Sequence, residues 1–74
     1  MQVYERVVSA SRQFLGPGTE RFIQRQLRAH LKTDPQNLKA NQLPQLANWM
    51  EASATLLLSE DKAQALRKAV EGLA

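Results

Sequence analysis

Four basic residues, Arg21, Arg25, Arg28 and Lys32, recur at spacings of 4, 3 and 4. On an α-helix those side chains fall within an arc of about 60°. A row of this kind suits phosphates or carboxylates. Arginine suits them especially, because its planar fork meets two oxygens at once. No acidic residue stands four positions from any of the four, so no internal ion pair dilutes the row. Arg21, Arg25, Arg28 and Lys32 are therefore the candidate anion-binding residues. The competing reading is the ordinary solvated face of an amphipathic helix, which is usually charged.

Nucleic acid is the first polyanion to weigh, and the chain gives it little support. Phe22, the nearest aromatic residue, falls towards the core side of the same helical wheel, about 100° from Arg21. A single-strand binder needs aromatic platforms beside its basic groove. No helix-turn-helix, zinc-finger or RNA-binding signature is present.

His30 is the only histidine, and it falls in the middle of the apolar arc. The fragment Arg28-Ala29-His30-Leu31-Lys32 only faintly resembles the phosphoacceptor motif of histidine phosphotransfer domains. Those carry a lysine three residues after the histidine, where this chain has Thr33. An inward-facing histidine at a helix contact, held by a hydrogen bond, is the expectation. The carboxylates Glu5, Glu20, Asp34, Glu51, Glu60, Asp61 and Glu71 are scattered, and there is no cysteine. Neither a nucleophile with its base nor a metal cluster can be assembled, so no catalytic residue, metal or cofactor is expected. Gly16-Pro17-Gly18-Thr19 lacks the preceding strand and following lysine of a phosphate loop and reads as a turn between helices.

Trp49 and Leu56 stand seven residues apart, hence on one line of a helix, with Ser53 beside them and Met50 on the neighbouring stripe. Trp49, Met50, Ser53 and Leu56 form the second candidate surface, an apolar one. Tryptophan is enriched at binding hot spots, and small domains short of core often gain stability by assembling. The partner expected there is another protein or a second copy of the chain, giving a homodimer.

The elements that must carry these residues follow from helical periodicity. Seventy-four residues make a single domain, residues 1–74, with a modest core. No apolar run is long enough to span a bilayer, and the amino terminus lacks the layout of a signal peptide, so no membrane partner is expected. With no cysteine, the expected location is the cytoplasm. Residues 1–40 hold seven Lys/Arg against three Asp/Glu, whereas residues 41–74 hold three against four. The positive excess lies in the front half.

The first helix runs from Gln2 to about Leu15 and stops at Gly16-Pro17-Gly18. The second starts near Gly18 or Thr19, with Thr19 as N-cap, and runs to about Lys32. Asp34-Pro35 reads as a cap and first helical position, opening a short turn of helix that carries Leu38. The third helix runs from Asn41 or Gln42 to Leu58. Leu43, Leu46, Ala47, Met50, Ala54, Leu57 and Leu58 form its stripe, and Pro44 sits in its first turn. Ser59 caps the fourth, whose seam is Ala63, Leu66, Ala69, Val70 and Leu73. No stretch alternates as a strand does. The expected fold is all-α, a compact bundle of four short helices with a fifth helical turn around residues 35–39. The expected function is a non-catalytic protein–protein interaction or assembly module using the apolar patch of the third helix. The alternative is polyanion binding by the basic face of the second, with the two surfaces on opposite sides.

Overall fold

The apolar period folds into four α-helices. The computed structural model describes residues 2–74, and Met1 lies outside the described residues. Helix α1 spans Val3–Leu15, α2 Thr19–Gln26, α3 Leu43–Ala54 and α4 Glu60–Glu71. Short 3-10 turns occupy Gly16–Gly18, Pro35–Asn37 and Ala40–Gln42, and no strand occurs among the described residues. The fold is all-α, with the fifth helical turn at Pro35–Asn37.

The punctuation works largely as its chemistry requires. Gly16 takes φ 63°, a conformation open to glycine, and its N–H closes α1 on the Arg12 carbonyl. Thr19 opens α2 but does not cap it with its side chain. Its hydroxyl donates instead to the Gly16 carbonyl at 2.6 Å, and the residue is fully buried. Asp34 precedes Pro35 in extended backbone, and its carbonyl, not its carboxylate, accepts from the Asn37 N–H at 3.0 Å. At the entry to α3 the Gln42 side chain accepts from the Lys39 N–H at 2.9 Å. Ser59 caps α4 as expected, its Oγ accepting from the Lys62 N–H at 3.3 Å.

Two helix ends differ from the sequence reading. The last turn of the second helix widens into a π turn over Leu27–Leu31, and Lys32 closes it in the left-handed conformation at φ 55°. Lys32 thus stands beyond the helix, out of register with Arg21, Arg25 and Arg28. The third helix ends at Ala54, four residues short of Leu58. The Thr55 hydroxyl donates to the Ala52 carbonyl, and the Leu57 and Leu58 amides both converge on the Ala54 carbonyl at 2.9 and 2.7 Å. This turn lets α4 fold back along α3, the most extensive packing in the bundle. Its consequence is that Leu57, expected in the core, is 70% exposed, while Leu58 is half-buried.

Every helix contributes to one core. Val7 and Val8 of α1 and Ile23 of α2 meet Leu46 and Met50 of α3 and Leu66 and Val70 of α4, with Leu38 closing one end. Each fully buried large side chain contributes roughly 1.5–3 kcal/mol. A polar clasp backs the α3–α4 contact. The Arg67 guanidinium lies 3.1 Å from Glu51 of α3 and 3.0 Å from Glu71 of its own helix. Tyr4 ties α1 to α2 by accepting from the Gln24 amide at 3.0 Å.

Candidate functional site

The two surfaces expected on opposite sides of the bundle are neighbours. Helix α2 packs against α3 with its start beside the end of α3. A groove of about 340 Å³ opens at that junction, lined on the α2 side by Gly18, Arg21, Phe22, Arg25 and Gln26. Ser53, Leu56 and Leu57 line its other wall. Farther along the seam, His30 lies flat on Trp49, with ring centroids 3.7 Å apart and planes 3° apart.

This arrangement corrects several expectations. Met50 is fully buried in the core and can touch no partner, because it lies on the α3 stripe that faces α4 and α1 rather than on the Trp49 side. Leu56 does not stand on a helical line with Trp49, because α3 has already ended. It projects from the following turn and is 85% exposed. Ser53 is half-buried at the groove wall, and Trp49 is 39% exposed. His30 is half-buried at a helix contact, as read. Aromatic stacking on Trp49 holds it there, and no hydrogen bond of its side chain occurs among the described residues.

The basic row divides in two. Arg21 and Arg25 on α2 and Arg28 on the π turn are exposed and, with Gln24 and Ala29, border a shallow hollow. Lys32 belongs instead to a depression with Arg28, Thr33, Asp34 and Asn37 at the far end. Among the described residues, no carboxylate lies within ion-pair distance of Arg21, Arg25, Arg28 or Lys32. Of the acids near the row, Glu20 lies 3.7 Å from Arg12 and Glu51 pairs with Arg67, while Asp34 shares the far depression with Arg28 and Lys32 without pairing with either. The positive rim of the groove is therefore uncompensated within the fold.

Sequence reasoning missed Phe22, Gln26 and Leu57 as groove residues. Phe22 is half-buried: it packs against the core on the side expected of it and also lines the groove. Gln26 is 3% exposed, and its Oε1 finds no hydrogen-bond partner among the described residues. One signal for Leu57 was available: three consecutive leucines, Leu56-Leu57-Leu58, ahead of a helix cap cannot all face one side. No known protein family, curated protein or solved structure matches the chain. Among the described residues no helix is long and apolar enough to cross a membrane.

Proposed function

We propose that this chain is a non-catalytic protein–protein interaction module of adaptor or regulatory kind, with the α2–α3 face as its contact surface. One observation carries the reading: two exposed leucines, Leu56 and Leu57, share a groove with two unpaired arginines, Arg21 and Arg25. Folding needs neither feature. Covering Leu56 and Leu57 with a partner gains roughly 1.5–3 kcal/mol for each side chain fully buried. Trp49 extends the same face, and half-exposed tryptophans are favoured anchors at protein interfaces. The absence of cysteine fits a cytoplasmic setting.

Polyanion binding through Arg21, Arg25 and Arg28 is the second reading, supported by their lack of acidic partners. The groove counts against it, because aliphatic leucine walls offer phosphates nothing and Phe22 alone makes no stacking platform.

A photo-crosslinking residue in place of Leu57, compared with one in place of the exposed Ala65 on α4, tests the proposal in cells that express the chain. The expected result is a discrete protein adduct at Leu57, absent at Ala65 and lost on adding Arg25→Glu. Adducts to nucleic acid alone, or the same adducts at both positions, would contradict it.

A further inference from the structure

The charge and shape of the α2–α3 seam select its occupant. At one end lies the groove with Leu56, Leu57 and Phe22, and at the other the Trp49 ring backed by His30. Ser53 and Gln26 complete the lining of the groove. From Thr19 to Gln26 the α2 edge of this seam runs about 12 Å, a little over two turns of helix, and the π turn carries it on to His30. Arg21 and Arg25 line one side of the groove and make no ion pair among the described residues.

We infer that the seam takes an acidic amphipathic helix from a partner protein. Its apolar face lies on Leu57, Phe22 and Trp49, and its carboxylates meet Arg21 and Arg25. The inference rests on the interaction-module reading and names the partner's chemistry. Carboxylates match the arginine forks in geometry as well as charge, and apolar anchors at successive helical turns match a groove followed by an exposed ring. A second copy of the chain fits worse. It carries a net charge of +3, and a two-fold pairing through this face brings arginine rims towards one another.

The test uses a designed peptide of about 14 residues, leucine at helical spacing and glutamate on the remaining face. Its controls are the same peptide with lysine for glutamate, a scrambled peptide of identical composition, a random oligonucleotide and anionic phosphatidylglycerol vesicles. Binding is read from Trp49 emission and by calorimetry on the full chain. The acidic amphipathic peptide is expected to bind about tenfold or more tighter than the lysine and scrambled forms. Arg21→Glu with Arg25→Glu should reverse the preference between the acidic and lysine peptides. Both positions are exposed, so the variant should keep its helical circular dichroism. Leu57→Ser should weaken the acidic peptide without reversing the preference. Equal affinity for the scrambled peptide overturns the inference in favour of charge alone. Tighter binding of the oligonucleotide or the vesicles overturns it in favour of those partners, and concentration-dependent dimerisation blocked by Leu57→Ser overturns it in favour of a second copy. A protein adduct at Leu57 together with failure of the acidic peptide would leave the interaction module standing and remove this occupant.

Discussion

The imidazole of His30 lies parallel to the indole of Trp49 at 3.7 Å, pinning the end of the π turn to the middle of α3. It is the one aromatic stack among the described residues, and it covers one face of the indole on the proposed contact surface. The rings lie nearly face to face rather than offset, so the contact is worth no more than about 0.5 kcal/mol, the low end for aromatic pairs, beyond the area it buries. His30→Ala is therefore expected to destabilise the fold by that order and to shift the emission of Trp49, the only tryptophan, to longer wavelength. Urea melts and fluorescence spectra of the variant check both. An unchanged emission maximum would mean that the rings do not stack in solution.

Met50 and Leu57 should separate core from surface. Met50→Ala leaves a cavity at the centre of the bundle and should cost about 2–5 kcal/mol, enough to unfold much of a domain this small. Leu57→Ser removes nothing the fold uses and should change stability by less than about 0.5 kcal/mol. Thermal denaturation followed by circular dichroism makes the comparison. Similar losses for both would return Leu57 to the core.

Buried polar atoms suggest where stability gives way to function. Ser11 Oγ and Gln26 Oε1 are buried with no partner among the described residues. Ser11→Ala should stabilise by about 1 kcal/mol, since it removes an unsatisfied group and improves helix propensity. Gln26→Met should also stabilise. Because Gln26 lines the groove, however, it should alter affinity for the acidic peptide while Ser11→Ala leaves it unchanged. Denaturant titrations paired with binding curves separate the two effects.

Lys32 tests how the basic row divides. Its left-handed backbone costs a side-chain-bearing residue about 1 kcal/mol that glycine avoids. Lys32→Gly should raise the melting temperature and leave binding of the acidic peptide unchanged, because Lys32 lies outside the groove. Arg25→Gln should leave the melting temperature unchanged and weaken binding of the acidic peptide. A loss of binding on Lys32→Gly equal to that on Arg25→Gln would restore the four-residue stripe as one site.

What the sequence disclosed and what it hid have physical causes. Ser59 announced α4 because a hydroxyl before an acidic first turn has one strong use, and Gly16-Pro17 announced the end of α1 for a similar reason. The end of α3 was hidden. Leu57 and Leu58 continue the apolar period beyond Ala54, and no glycine or proline marks the stop. The helix ends because α4 must fold back, a tertiary demand that overrides periodicity. The π turn at Leu27–Leu31 was hidden too, and its changed register moved Lys32 off the row. The adjacency of Arg21 to Leu56 could not be read at all, because it depends on which helices pack and in which direction. Arg21, Arg25, Ser53 and Leu56 could be singled out one by one, but not the fact that they line one groove.

The most direct test of that shared groove is amide chemical-shift mapping on the full chain as the acidic amphipathic peptide is added. Shifts should concentrate on both walls together, at Gly18, Arg21, Arg25, Ser53, Leu56 and Leu57, with the Trp49 indole moving in step. Shifts confined to Arg21, Arg25 and Arg28, with Ser53–Leu57 unmoved, would contradict the account and leave only a basic helix face.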